Sequence, residues 1–412
     1  MWTRFKRLFW QWGVVLIAAP SIAALVVVMR LLGLLQPLEW AMLDQYFCWR
    51  PPEPADPRIV LVRITEDDIA QYDWPLSDAV LANIITTLNQ QNPRAIGLDL
   101  YRNLPVEPGS EKLIQTFKST PYLIGIEKVV GWIDTKPIAP ATTLRELGQV
   151  GSNDAIQDAD GRIRRGLLYL DDPQGNSVLS LAFRLALLYL GPENISPQVT
   201  ETGSIILGKS QFIPFEPNDG AYVRANDQGF QVLINYRGPR SHFRSVTIQQ
   251  VLNHQVPEEW VRDRIMLIGS TAESIGDYYE TPFSSHLEKQ LPQLMSGVEI
   301  IANLTSQILS GALDGRSTLK VWSEPMEWLW ILTWATIGTT VCWQQRSTRR
   351  SKKTKWLKTS LTILLAGGIL ILISYLAFLR SWWIPVVPPL LALFGSAIVV
   401  TGFIAQMATE IR

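Results

Sequence analysis

The sequence predicts an exported α/β domain, with a mainly parallel or mixed sheet, flanking helices and a β-meander insertion, carried on four transmembrane helices. Three observations predict it. Apolar residues make up 47% of the chain and are concentrated in one block near its start and three near its end. Between these blocks, apolar runs of strand length alternate with runs of helical spacing. Two clusters of Lys and Arg lie on alternate sides of the blocks, in a chain whose formal net charge is +0.

The first block, "GVVLIAAPSIAALVVVMRLLGLL" (13–35), follows Arg4, Lys6 and Arg7 in a basic segment 1–12, as a secretory leader would. Its apolar part exceeds the roughly 7–15 residues of a signal peptide and no A-x-A-like site closes it, so it reads as an uncleaved anchor. Arg30 falls in its outer half, where a long side chain snorkels to the headgroups. The second block, "WLWILTWATIGTTVCW", lies in a span over 326–343. At 1.5 Å per residue its apolar part is about 24 Å long, which demands local thinning or Trp anchors such as Trp322 and Trp343. The remaining two spans are 359–379 and 382–408, each near the roughly 20 residues that a bilayer core requires.

Cytoplasmic loops carry the excess of Lys and Arg. The loop 344–358 holds Arg346, Arg349, Arg350, Lys352, Lys353, Lys355 and Lys358 with no acid among them. This loop, the segment 1–12 and the tail 409–412 are therefore expected in the cytoplasm, and residues 36–325 outside it, in a multi-pass protein of the plasma (inner) membrane whose first partner is lipid. Of 37 cations, four lie in the first 30 residues and nine after residue 325; of 37 acids, two lie after residue 325. The exported part thus keeps 24 cations against 35 acids, and no fold surrounds the basic loop, so nucleic acid is not an expected partner. Cys48 lies outside the first span and Cys342 at the cytoplasmic end of the second, so the exported domain relies on an ordinary core without a disulfide.

Within 36–325 the strand-length runs are "RIVLVRI" (58–64), "AIGLDL" (95–100), "YLIGIE" (122–127), "FQVLINY" (230–236) and "RIMLIGS" (264–270). Several are apolar on both faces, which suits strands covered by helices on both sides. In "SDAVLANIITTLNQQ" Val80, Leu81, Ile84, Ile85 and Leu88 repeat at helical spacing behind an N-cap at Ser77. A second helix fits "LSLAFRLALLYL" (179–190), stopped by Gly191 and Pro192. The stretch 200–236 breaks this alternation and reads as β-hairpins and meander strands.

Several motifs invite chemistry and fail on their context. "GSIILGKS" (203–210) matches G-x-x-x-x-G-K-[ST], but Ile205, Ile206 and Leu207 form strands and "QFIPF" cannot open a helix, so a hairpin turn is expected. "QDADGRIRR" (157–165) has Asp158, Asp160 and Gly161 as in half of a calcium loop, without the bidentate Glu at the twelfth position. An Asp-Gly turn into the strand "GLLYL" is the reading. His242, His254 and His286 share no metal-ligand spacing, so neither a metal nor a cofactor is expected. Ser296 and Glu299 stand at capping-box spacing in "SGVEIIANLTSQILSG", with Gly311 at the stop.

In α/β sheets, ligands bind beyond the carboxyl ends of the strands. That rule selects the loop after "AIGLDL", with Asp99 and Arg102, and the loop in "GSTAESIGDYYETPFSS", with Ser270, Thr271, Asp277 and Thr281. These six are the expected ligand-binding residues. For Asp99 and Asp277 the competing reading is that each caps a helix or pins a turn.

The segments "VLVRITEDDI", "PRAIGLDLYRNLP", "VGSNDAIQDADGRIRR", "LINYRGP", "DRIMLIGSTAESIGDYYETPFSS" and "MSGVEIIANLTSQILSG", in this order, resemble the second class of CHASE domains. These are sensory extracellular modules associated with bacterial cyclases and with histidine or serine/threonine kinases. The segments cover most of residues 40–312, and the order of one span, exported domain and three spans is also similar to the family's. The resemblance implies sensing. In many relatives the last span feeds a cyclase or kinase, whereas "TEIR" ends this sequence, so the expectation is a non-enzymatic sensor without its own output domain. It would meet a small-molecule or protein ligand outside and a signalling partner at the helices or the basic loop, with a homo-oligomer open. The alternatives are a structural or assembly protein of the envelope and an enzyme, for which no nucleophile and base pair is visible.

Overall fold

The computed structural model describes residues 2–130, 136–285, 293–345 and 352–410. The chain divides into two compact units, a helical unit of Met1–Tyr46, Glu216–Asn226 and Leu319–Arg412, and an α/β unit of Phe47–Phe215 and Asp227–Thr318. Two helices come first, α1 (Trp2–Leu31) and α2 (Gln36–Trp49).

The α/β unit then begins with β1 (Ile59–Ile64), α3 (Glu66–Tyr72), α4 (Asp78–Asn89), β2 (Ala95–Asp99), α5 (Ser110–Ser119), β3 (Leu123–Glu127), α6 (Thr142–Glu146) and β4 (Val150–Ser152). It continues with β5 (Arg165–Asp171), β6 (Ser177–Leu179), α7 (Leu181–Leu190), β7 (Gln198–Val199), β8 (Ile205–Leu207), β9 (Ser210–Phe212) and β10 (Phe230–Leu233). The remainder is β11 (Ser245–Thr247), α8 (Ile248–Leu252), β12 (Ile265–Ser270), β13 (Tyr278–Tyr279), β14 (Met295–Ser296) and α9 (Gly297–Asp314).

The main sheet has six strands in the order β11-β1-β12-β2-β3-β4, and every pairing in it is parallel. Both faces are covered, which explains why its strands are apolar on both sides. Ile59 and Leu61 of β1 and Ile265 and Leu267 of β12 point into one core with Leu185 of α7 and Val298, Ala302 and Leu309 of α9. The alternate residues Val60, Val62, Ile64, Met266 and Ile268 meet Leu81, Ile84, Ile85 and Leu88 of α4, Leu113 and Phe117 of α5, and Val251 of α8. Gly97 in β2 is a packing requirement, because a Cβ there would stand 2.7 Å from Leu185 Cδ1 and 2.6 Å from Leu267 Cδ1.

Ser77 and Ser296 cap where the sequence places them, whereas Ser180 caps a helix that starts at Leu181 and not at 179. Ser77 accepts from the Val80 amide at 3.4 Å, and Ser180 from the Phe183 amide at 3.2 Å. Ser296 donates its amide and hydroxyl to Glu299 Oε2 at 3.1 and 2.8 Å, opening α9. That helix runs past Gly311 to Asp314, and the left-handed stop is Gly315, φ 72°. Gly311 stays inside because it sits against Ser210 and Phe212, where a side chain would crowd.

The β-rich insertion is smaller than the sequence predicts. "GSIILGKS" is a hairpin, with Leu207 facing Ser210 across an antiparallel pair and β7 completing a three-stranded sheet. Gly208 turns at φ 56° where a Cβ would strike the Ala312 carbonyl, and the Lys209 amide donates to that carbonyl at 2.9 Å. No strand lies between β9 and β10, and residues 216–226 belong to the helical unit. β10 pairs instead with β5, which pairs with β6. The Asp-Gly turn before β5 is an ion network: Asp158, 6% exposed, pairs with Arg164 and with Arg165, each at 2.9 Å, and Asp160 pairs with Arg164 at 2.7 Å.

The helical unit adds β15 (Lys320–Val321), α10 (Glu324–Gln344), α11 (Lys352–Leu379), β16 (Trp382–Trp383) and α12 (Val387–Glu410). Among the described residues, three helical segments are long and apolar enough to cross a membrane: Trp12–Leu31, Trp356–Leu379 and Val387–Met407. The segment 328–343 lies within α10 and is not one of them: its apolar stretch follows Glu327 directly and is interspersed with Trp and Thr, which lower its hydropathy. Trp382 and Trp383 are not helical either; they pair in parallel with Lys320 and Val321. Residues 346–351, which hold Arg346, Arg349 and Arg350 of the basic loop, lie outside the described residues, as does His286.

α1, α10 and α12 share a core of Ala19, Ala23 and Val26 with Ile331, Ala335 and Ala392. Arg30 does not snorkel. It is 5% exposed, pairs with the fully buried Glu327 of α10 and donates to the Gly220 carbonyl at 2.5 Å. A carboxylate and a backbone carbonyl within reach satisfy the guanidinium better than a path to the headgroups would. Glu39 of α2 accepts from the Val386 amide at 2.8 Å and from the Val387 amide, which fixes the start of α12. Tyr222 bridges Trp40 and Trp383, its ring centroid 5.2 and 6.1 Å from theirs.

Candidate functional site

Parallel pairing brings the carboxyl ends of all six strands to one edge of the main sheet. The register sets Gly269 of β12 beside Asp99 of β2, so Asp99 and Ser270 end neighbouring strands. Lys128 follows β3 and Asn153 follows β4 at the same edge. A cavity of about 550 Å³ opens there. Its wall includes Trp74, Asp99, Tyr101, Arg102, Lys128, Asn153, Gln157, Ser270, Asp277 and Tyr279.

Asp99 is 6% exposed. Asn153 Nδ2 donates to its Oδ1 at 2.7 Å, while its Oδ2 is buried with no hydrogen-bond partner among the described residues. Burial holds this carboxyl well above the usual carboxylate range, and the Asp277 carboxylate raises it further. Burial also raises Asp277, against a lowering hydrogen bond from the Tyr279 hydroxyl. The phenols of Tyr101 and Tyr279 are pushed up, by burial first and then by nearby carboxylates, Asp99, Asp154 and Asp277 for Tyr101 and Asp277 and Asp99 for Tyr279. The site therefore gathers acidic groups whose charged forms are mutually unfavourable.

Neither acid caps a helix. The N-cap of α5, the first helix after Asp99, is Gly109, and Asp99 bonds to a side chain. The Asp277 backbone carbonyl accepts from the Gly297 amide at 3.1 Å, whereas its side chain meets Tyr279. β13 and β14 pair Tyr278 with Ser296, returning the loop to the cavity rim.

Of the six residues expected from sequence, four line the cavity: Asp99, Arg102, Ser270 and Asp277. Arg102 donates to the Leu76 carbonyl at 2.8 Å and lies 4.0 Å from Asp78, leaving its Nε without a partner among the described residues. Burial lowers its pKa, opposed by Asp78. Ser270 Oγ accepts from the Ala272 amide at 3.2 Å. Thr271 and Thr281 are not on the wall. Thr271 donates its amide to the Ile64 carbonyl at 2.9 Å, anchoring the loop to β1, and Thr281 is fully buried with its amide donating to Ser284 Oγ at 3.0 Å.

Asn153, Lys128, Gln157, Tyr101, Tyr279 and Trp74 are wall residues that sequence reasoning missed. The signal for one of them was present. "YLIGIE" ends one residue before Lys128, and the carboxyl-edge rule applied to that run selects it as it selects Asp99. The short strand before Asn153, Val150–Ser152, has no such visible pattern. The backbone locks this edge: the Asn153 amide donates to the Glu127 carbonyl at 2.9 Å, and Asp154 accepts from the Val129 and Val130 amides at 2.9 Å each. Among the described residues, no group of three or more His, Cys, Asp or Glu is placed to hold a metal ion.

Comparison with known proteins agrees with this architecture. The family model of the CHASE2 domain matches residues 21–340. No curated protein and no solved structure matches the chain. The match takes in the parallel sheet, the cavity edge and the first apolar helix from residue 21 onward, and CHASE2 domains are extracellular sensor modules, so an extracytoplasmic sensor domain in a membrane protein is the frame for the site. With more than half of its length covered by that one match, this chain belongs to the CHASE2 domain family.

Proposed function

We propose that the protein is a membrane-anchored sensor whose α/β unit lies outside the cytoplasm and binds a small ligand in the carboxyl-edge cavity. The observation that carries this reading is the cavity itself. Its volume of about 550 Å³ falls inside the range of roughly 300–1,000 Å³ typical of ligand pockets, and it combines aromatic walls with a few convergent polar groups. Asp99 is buried there with an oxygen that none of the described residues satisfies, an arrangement that costs stability unless something else uses it.

The topology in this reading is four spans with both termini cytoplasmic, α10 being the second. The basic segments around Arg4 and Lys355 favour the inside. Leu361, Leu365, Leu372 and Leu376 of α11 and Ile398 of α12 are exposed, as lipid-facing residues would be. The paired Glu327 makes α10 tolerable inside a bundle although its composition is the least apolar. The role is non-enzymatic: occupancy passes through the membrane helices to a separate partner protein. A thermal-shift screen of the intact protein in detergent against a metabolite library tests the reading, since a ligand of the folded state raises its stability by RT ln(1 + [L]/Kd). A stabilising hit lost in Asp99→Asn supports it, and a blank screen removes it in favour of an envelope structural role.

A further inference from the structure

The chemistry of the cavity selects a ligand class, an inference that rests on the sensor reading above. Asp99 and Asp277 border the same cavity, and the buried Asp99 Oδ2 lacks a donor among the described residues. An empty cavity leaves two acids whose charged forms oppose each other. An anion would meet both carboxylates. A neutral hydroxyl would donate to Oδ2 and leave the repulsion in place. A cation that also donates hydrogen bonds removes both penalties at once, through charge-assisted bonds roughly twice as strong as neutral ones. The rings of Trp74, Tyr101 and Tyr279 in the wall add faces suited to a cation. Among the described residues two carboxylates line the cavity, which is few for a calcium shell of about six to eight oxygens.

We propose that the cavity recognises a small ligand through a protonated amine, with Asp99 Oδ2 and the Asp277 carboxylate as acceptors. Lys128 and Arg102, the latter with its buried Nε–H unpartnered among the described residues, stand in the same wall and offer donors to an acidic group on the same molecule. A simple amine and an α-amino acid share the recognised ammonium and differ in whether those two cations are used.

The test uses intact protein in detergent and two readouts, thermal shift and calorimetric titration. The probes are ethanolamine, L-alanine, choline, glucose and calcium chloride. Saturable stabilisation by ethanolamine or by L-alanine is expected, weakened about tenfold or more in Asp99→Asn and in Asp277→Asn, as loss of a charge-assisted pair implies. L-alanine binding the tighter, with the difference lost in Lys128→Ala, assigns the acidic group to Lys128. Ethanolamine binding the tighter assigns a simple amine. Choline has the charge without an N–H donor, so its weaker binding to the unaltered protein supports the bond to Oδ2 independently of any variant. Choline, glucose or calcium binding while both amines fail overturns the amine class and leaves the sensor reading standing. Failure of every probe overturns the proposal too; the sensor reading falls only if the metabolite screen is also blank.

Discussion

Asn153 Nδ2 donates to Asp99 Oδ1 across 2.7 Å, tying the end of β4 to the end of β2 over the intervening β3. The bond satisfies one Asp99 oxygen, while the other is buried without a partner among the described residues. Its energetic signature is a pH dependence. Burial, with Asp277, raises the folded-state pKa of Asp99 above its unfolded value, and burial raises Asp277. The folded state then holds protons more tightly than the unfolded chain. The stability these groups contribute is full below the ordinary Asp range and is lost as pH rises through the raised values, at up to about 1.4 kcal/mol per pH unit for each proton held. Lys128, Arg102, Glu127, Asp154, Tyr101 and Tyr279 are further titratable groups at this edge. Asp99→Asn should flatten the slope of melting temperature against pH without loss of stability at neutral pH. An unchanged slope would show that Asp99 is ionised at no cost.

The Arg30–Glu327 pair makes a prediction about the helical unit. Removing one partner strands a buried charge, and for buried pairs that costs about 3–5 kcal/mol. Arg30→Leu or Glu327→Leu alone should lower the melting temperature of the detergent-solubilised protein sharply. The double replacement should recover most of the loss, because no charge is left behind. Equal, additive losses in the double mutant would mean that the two side chains act independently.

Glu299 closes the capping box of α9 and also accepts from the Ser241 amide at 2.6 Å through Oε1. A lost N-cap costs about 0.5–2 kcal/mol. Glu299→Ala should fall near the upper end, about 2 kcal/mol, since a second amide loses its acceptor, while ligand stabilisation of the cavity persists. Chemical denaturation measures the first and thermal shift the second; loss of binding without loss of stability would assign Glu299 to the site.

The hairpin at Gly208-Lys209 gives a paired test. Gly208→Val forces a Cβ into the Ala312 carbonyl from a left-handed backbone and should cost about 1–3 kcal/mol. Lys209→Ala should change stability by about 0.5 kcal/mol or less, and ATP should not bind either protein. ATP affinity lost in Lys209→Ala would reinstate a phosphate loop.

Topology is tested by reporter insertions at Gly203, an exposed turn in the α/β unit, and within 346–351. The four-span arrangement expects opposite compartments. Reporters on one side would exclude it.

Much of the α/β unit was legible because its signals are local. The runs at 59–64, 95–99 and 265–270 are strands, and Ser77 and Ser296 cap helices where the spacing put them, since burial on two faces and caps on first turns depend on near neighbours in sequence. The end of α9 was misplaced for the converse reason. Gly311 looked like a stop, and only its packing against the hairpin shows why a helix keeps a glycine there.

The sequence by itself determined the CHASE2 resemblance, the strand and helix pattern and which loops follow which strands. Only the tertiary structure decided that Asn153 joins Asp99, that Thr271 and Thr281 turn away from the cavity, and that Arg30 finds Glu327. Each of these depends on strand order, register or helix packing between residues far apart in the chain. Hydrophobic periodicity reports which face is buried and carries no record of what a polar group meets once it is there.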